Sequence, residues 1–237
     1  MLGGGHVRAH LLTENEQAAV LDALTSLSTP KAMKERYGDA GIAPLLFAVG
    51  DGNHSLATAK TIYEELKQTL GADAAAKHPA RYALAEIVNL HDEGLSFEPI
   101  YRVVFGCQPD DLMRELEEYL AALQGNAAPQ QLLCIVGNDE RTLTVSHPVQ
   151  QLTVGTLQAF LDAYTAAHPE VTVDYIHGEQ SLRALAAQPN AIGFLFVGMR
   201  KDELFRTVIY DGALPRKTFS MGHAEDKRYY LECKRIK

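Results

Sequence analysis

The sequence has no tryptophan, only three cysteines among 237 residues, and fewer cations than anions; each shortage removes a class of protein. Cys107, Cys134 and Cys233 are far apart, odd in number and form no CxxC pair, so neither a disulfide framework nor a zinc knuckle is indicated. A reducing cytoplasm is the expected compartment. With 22 Lys and Arg against 30 Asp and Glu, the net charge of -8 gives an average field that repels nucleic acid and anionic membranes, and both are disfavoured as partners. No apolar run reaches the roughly 18 residues that span a bilayer, and no charged start leads into an apolar signal core. There is no internal repeat and no low-complexity tract. What remains, 46% hydrophobic and 22% charged, is an ordinary globular composition able to bury a core in one large domain or two small lobes.

The beginning, Met1 to Val7, reads as a glycine turn feeding a strand over His6–Leu12, as in the middle of a domain. Thr13 is placed to cap a helix over Glu14–Leu27, with Glu16 completing a capping box and Val20, Leu21, Leu24 and Leu27 on one apolar face. Pro30 ends that stretch, and Lys31–Tyr37 is a short helix. The continuous apolar run Pro44–Gly50 predicts a strand buried on both faces, and the spacing of Leu56, Ala59, Ile62, Tyr63, Leu66 and Leu70 predicts a helix over Ser55–Leu70. Tyr82–Leu90 and Phe97–Phe105 read as strands, Pro109–Leu123 as an amphipathic helix, and Gly125–Pro129 as a linker. Beyond it come a hairpin (Leu132–Val136, Leu143–Val145), a helix (Val154–Ala167), a strand (Val171–Ile176), a short helix (Ser181–Ala187) and a strand (Ile192–Val197). Lys201–Tyr210 is read as helix, and the tail as a basic turn with a terminal strand at Tyr229–Lys234.

The segment with the clearest chemical potential is Asp51-Gly52-Asn53-His54-Ser55. A buried strand that opens directly into a helix leaves backbone N–H groups aimed at whatever lies above the turn, and the helix dipole favours an anion there. Gly50 and Gly52 keep side chains out of its way. Asp51 is suited to hold magnesium or take a proton from an attacking hydroxyl, and His54 to donate to a phosphoryl oxygen or act as acid or base. By physics alone the simpler alternative is favoured about two to one: Asp51 or Asn53 is an N-cap and His54 a solvated first-turn residue.

Other constellations carry less. Pro215 to Gly222 gathers Arg216, Lys217, Thr218 and Ser220 in one loop, which is either an anion clamp or a solvated turn. His91-Asp92-Glu93 offers metal-ligating atoms, although three adjacent residues cannot all face one ion from an extended strand, so a polar turn is favoured. Asn89 late in an apolar strand either faces a site or caps a turn, and Glu86 is either paired with an arginine or at an edge. His6 and His10 read as core or surface histidines, and the cysteines as inert fillers.

The string Phe47 to Lys60 resembles the central motif of the bacterial and archaeal DUF1015 family. Two further blocks agree: His78 to Asp92, continuing as Phe97 to Val104, and Gly212 to Gly222 followed by Lys227 to Glu232. The resemblance spans essentially the whole chain, and the chain looks like the C-terminal part of a longer family pattern. The family's motif, commonly D-G-H-H-R, is in turn similar to that of the ParB, sulfiredoxin and free serine kinase superfamily. The resemblance implies an α+β protein, a mixed sheet flanked by helices, with a ParB/sulfiredoxin-like core and a second α/β lobe. The expected organisation is one family domain with sub-lobes 1–125 and 130–212, and 213–237 returning to the first.

It also implies a nucleotide-phosphate site. The expected activity is transfer of a phosphoryl group from ADP or ATP to a small hydroxylated metabolite such as free serine, with magnesium on Asp51. Gly52, Asn53, His54, Ser55, Arg216, Lys217 and Thr218 would bind phosphate, and Asp51 and His54 would be catalytic. Two departures bear on this: Asn53 stands where histidine is usual, and Ser55 where arginine is usual. The charge lost at position 55 would have to come from Arg216, Lys217, Arg81 or Arg102. The alternative is a non-catalytic regulatory or protein-binding module that kept the scaffold, and a third reading is a metal-dependent hydrolase centred on His91 and Asp92.

Overall fold

The computed structural model describes residues 8–38, 44–50 and 52–222. The chain divides into two compact units, Met1–Asn89 with Asp226–Lys237, and Leu90–Glu225.

In the first unit the local signals for helices are realised. Helix α1 (Glu14–Leu27) opens with the expected capping box: Thr13 N donates to Glu16 Oε2 at 2.7 Å, and Glu16 N donates to Thr13 Oγ1 at 3.4 Å. Helix α2 (Pro30–Tyr37) begins with Pro30 in its first turn, and Thr29 Oγ1 accepts from Ala32 N. A π-helical turn, Gly52–Leu56, runs into α3 (Ala57–Leu70); Gly71 at φ 81° then turns the chain into the short α4 (Ala72–Ala76), and a 3-10 turn follows at Pro79–Arg81.

The tertiary expectations for this unit do not hold. Residues 44–50 and 82–89 carry no strand; Phe47 is 52% and Val49 65% exposed, and Leu84, Ile87 and Val88 are exposed as well. A short apolar run becomes a strand only where a neighbour completes its ladder, and none does so among the described residues. Residues 8–12 are also irregular. The apolar face of α1 is solvent-exposed at Val20, Leu21 and Leu27, and Met33 and Ala75 are the only buried residues described in this unit.

The second unit is built around a six-stranded antiparallel sheet. Its strands are β1 (Phe97–Phe105), β2 (Gln130–Val136), β3 (Asp139–Val145), β4 (Thr172–His177), β5 (Ala191–Leu195) and β6 (Phe219–Met221). They lie in the order β3-β2-β5-β1-β4, with β6 added to the beginning of β1. Alternation along β1 sends Val104 to one face and Val103 to the other. On the first face Val104, Ile192 and Phe194 pack with α5 (Pro109–Ala122) through Leu112 and Leu116, and with α6 (Thr153–Ala167) through Leu157 and Leu161. α8 (Glu203–Asp211) joins them through Leu204. On the second face Val103, Ile135 and Ile176 meet Leu182 and Ala186 of α7 (Glu179–Ala186). Helices therefore cover both faces of the sheet, which establishes the expected α+β class.

The division of the chain differs from the expected sub-lobes 1–125 and 130–212. It falls at Asn89/Leu90 because β1 is hydrogen-bonded to both β4 and β5 and so belongs inside this sheet. Gly125–Pro129 is not a free linker: Gly125 N donates to His147 O at 2.9 Å and Ala127 N to Pro148 O at 3.2 Å. A Cβ at position 125 would sit 2.0 Å from Pro148 O, so that approach requires glycine. Residues 213–222, expected with the first lobe, lie in the second unit, where β6 pairs with β1 and Gly222 N donates to Ser96 O. The predicted strand Tyr229–Lys234 lies outside the described residues, as do residues 1–7.

Candidate functional site

The predicted turn is described from Gly52 onward; Asp51 lies outside the described residues. It is not a strand-to-helix turn, since residues 44–50 are irregular, but it does open a helix. The π turn Gly52–Leu56 continues into the 14-residue α3, whose N-cap Leu56 receives no side-chain hydrogen bond. A π turn closes i→i+5 bonds, so its opening amides have no acceptor inside the helix. His54 and Ser55 are both exposed beside them. The helix dipole and the exposed His54 imidazole lie at this mouth, whose capping position, residue 51, is outside the described residues.

Arg216, Lys217 and Thr218 belong to the second unit, where they form a constellation of their own. Arg102 on β1 is fully buried, and burial pushes its pKa down to about 10, which still leaves it charged at neutral pH. Its Nε donates to Gln158 Oε1 at 2.8 Å; Nη1 donates to Ile100 O at 2.6 Å and Lys217 O at 3.0 Å; Nη2 donates to Arg216 O at 3.1 Å. Gln158, buried on α6, passes the polarity on by donating to Asp162 Oδ1 at 2.8 Å. Two consecutive carbonyls are gathered on one guanidinium because Lys217 adopts φ 52°, a left-handed conformation that non-glycine residues enter only at some cost.

Tyr175, the register partner of Arg102 on β4, lies under this loop. Three cations converge on its ring: Arg102 at 4.6 Å, Lys217 Nζ at 4.7 Å and Arg216 at 5.4 Å from the centroid. Its hydroxyl is buried and makes no hydrogen bond. Thr218 is buried and its hydroxyl already donates to Pro215 O at 2.6 Å, so it braces the turn and is engaged within it.

The remaining candidates are structural. Asp92 Oδ1 accepts from Gly94 N at 2.9 Å and Asp92 O accepts from Lys201 Nζ at 2.6 Å, the bonding of a polar turn. Among the described residues no group of three His, Cys, Asp or Glu side chains could hold a metal ion. Glu86 and His10 are exposed. Cys107 and Cys134 are buried and burial raises both thiols, Cys134 to about 12. Arg81 donates to Ala76 O within the first unit and stacks on Tyr82. A groove of about 330 Å³ between α5 and the β2–β3 hairpin is lined by Asp110, Glu117, Cys134 and Arg141, with an Arg141–Glu117 ion pair at 2.6 Å, and contains none of the predicted residues.

Sequence reasoning missed Tyr175, Gln158 and Asp162. The one available signal was Gln158, an amide in the middle of the otherwise apolar helical pattern Val154–Tyr164, which needs a buried partner.

Fold and site together define an α+β protein with a helix that opens on a π turn at Gly52 in one unit and, in the other, a cluster of three cations around Tyr175. The chain belongs to the DUF1015 family: the model described as "Protein of unknown function (DUF1015)" matches residues 8–164. That match covers the Asp51–Ser55 motif and the His78–Val104 block, and ends within α6, so the third resembling block lies beyond it. No curated protein and no solved structure matches the chain. No helix among the described residues is long and apolar enough to cross a membrane.

Proposed function

We propose that this protein is a cytoplasmic nucleotide-phosphate-binding enzyme of the kinase type, with its phosphate cradle at the turn Asp51–Ser55 and a relationship to the ParB, sulfiredoxin and free serine kinase superfamily. The observation that carries the reading is the opening of α3: a π turn beginning at Gly52 that runs directly into a 14-residue helix, with His54 exposed at its rim. The amides of that turn hold the transferring phosphoryl group and stabilise the charge that develops on its equatorial oxygens. The Asp51 carboxylate accepts the proton of a small metabolite's hydroxyl, for which free serine is the template. As the oxygen–phosphorus bond forms, the bond to the departing nucleotide breaks, and AMP leaves when ADP is the donor. His54 donates to a phosphoryl oxygen or to the leaving group.

In the alternative role Asp51 would hold magnesium, which is commonly held by one or two carboxylates together with substrate phosphates. When bound it supplies charge neutralisation across the phosphates.

Calorimetric titration of the full chain with ADP, ATP and CTP in magnesium, on wild type and Asp51→Ala, tests the reading. Saturable heat from at least one nucleotide, weakened in Asp51→Ala, is expected; no heat from any of them removes it. One observation favours the second reading, a non-catalytic protein-binding module: Phe47, Val49, Tyr82, Leu84, Ile87 and Val88 are all exposed in the first unit. Absent nucleotide heat together with absent phosphoryl transfer to free serine would favour that module.

A further inference from the structure

We infer that Arg216, Lys217, Tyr175 and Arg102 form an oxyanion receptor in the second unit that takes a phosphate group on a small molecule, independently of the turn at Asp51–Ser55. Three observations converge on it. The first is concentrated positive charge. Arg102, Arg216 and Lys217 all lie within 5.4 Å of one aromatic centroid, yet none makes an ion pair with a carboxylate among the described residues, in a chain whose net charge is -8. Elsewhere in this unit the exposed arginines Arg114, Arg141, Arg183 and Arg200 are each paired with Asp or Glu, while Arg206 lies alone over the Tyr210 ring, so the feature particular to Tyr175 is that three cations share it. Like charges held together repel, and Arg216 acts on Arg102 in that sense by lowering its pKa after the larger effect of burial, with Asp162 opposing the shift. A dianion removes that repulsion.

The second observation is construction. The loop is held by both of its carbonyls on the buried Arg102, by the Thr218–Pro215 bond and by the left-handed residue Lys217. A turn that only had to be solvated would not need a buried guanidinium beneath it. Arg102 in turn is aligned by Gln158 and Asp162, so the positions from which Arg216 and Lys217 extend are fixed before any ligand arrives. The third is the Tyr175 hydroxyl, a donor shielded from solvent with no acceptor. An oxygen arriving among the cations over the same ring supplies that acceptor.

Arginine provides a planar fork for two oxygens and lysine a point charge for the third, which suits phosphate over a carboxylate. Nucleic acid fits poorly with the overall charge, so the receptor is assigned to a small phosphorylated molecule or phosphate itself.

The test is titration of the full chain with inorganic phosphate and pyrophosphate, free of nucleotide and magnesium, followed by calorimetry and by 31P line broadening. Saturable binding is expected, falling at least tenfold in R216Q/K217N, where asparagine tolerates the left-handed backbone, and about threefold in Tyr175→Phe, which leaves the ring in place. Asp51→Ala should retain it. A glucose phosphate binding as tightly as inorganic phosphate points to a phosphorylated metabolite, and tighter binding of inorganic phosphate to the free ion; both support the receptor. No saturable binding, binding unchanged in R216Q/K217N, or binding lost only in Asp51→Ala would overturn it, the last while sparing the nucleotide reading.

Discussion

Replacing Arg102 with methionine keeps most of the side-chain volume and removes the group on which the 215–218 loop rests. Four hydrogen bonds are lost, to Gln158 Oε1 and to the carbonyls of Ile100, Lys217 and Arg216. Bonds from a charged donor contribute about 1.5–3 kcal/mol each, but the terms do not add, and the buried charge itself carries a desolvation cost that methionine relieves. That cost follows from the lowering of its pKa from 12.5 to about 10, roughly 3 kcal/mol. Because the bonds are not additive, the lower part of the difference applies, a net destabilisation of about 3–5 kcal/mol. For a protein of this size each kcal/mol lowers Tm by about 2–4 °C, so Arg102→Met should melt about 10 °C below wild type by circular dichroism. Arg102→Lys, with three donors on one nitrogen in place of a fork, should fall between the two. Trypsin should also cut after Arg216 and Lys217 faster in both variants. An Arg102→Met protein that melts within about 2 °C of wild type, with unchanged cleavage, would show that the guanidinium only balances its own burial and anchors nothing.

Glycine 125 tests the packing that replaces the expected linker: Gly125→Ala must drive a Cβ into Pro148 backbone and should cost about 2–4 kcal/mol in urea denaturation, whereas a flexible linker would accept it without loss. At pH 8, Cys107 and Cys134 should resist iodoacetamide in the native protein and react only on unfolding, as mass mapping of the alkylated peptides will report. The Cys134 thiol is raised in the fold from 9 to about 12, so its contribution is fully present below pH 9 and is lost as the pH climbs to 12. Stability should fall over that interval by up to about 4 kcal/mol more in wild type than in Cys134→Ala; identical slopes would contradict the assigned burial. The lowered pKa of Arg102 works oppositely, relieving its burial cost above pH 10, and is common to both proteins.

What the sequence disclosed was local. The cap of α1, with Thr13 and Glu16 three residues apart, and the 3.6-residue spacing along α5 and α6 are set by neighbours in the chain, so they could be read directly. β1 and the β2–β3 hairpin were legible from apolar and β-branched runs, although β3 begins at Asp139, four residues before the expected Leu143, because its first half is polar and exposed. The same logic failed for 44–50 and 82–90, because a run such as Pro44–Gly50 says nothing about whether a partner strand exists. The domain boundary failed for a related reason: that Phe97–Phe105 pairs with strands beginning at residues 172 and 191 is a long-range fact. The basic loop was visible as composition, but its anchoring was not. Arg102 stands 114 and 115 residues from the carbonyls it holds, and Tyr175 carried no mark distinguishing it from any strand tyrosine.

The claim on which the functional account rests is that the mouth of α3 holds a phosphate. Its most direct measurement is a crystal of the full chain soaked with ADP and magnesium. The account predicts phosphate oxygens within hydrogen-bond distance of the backbone amides of residues 52–55, with the Asp51 carboxylate facing the same group. Nucleotide absent from that mouth at saturating concentration, or Asp51 turned back to cap the helix, would contradict it.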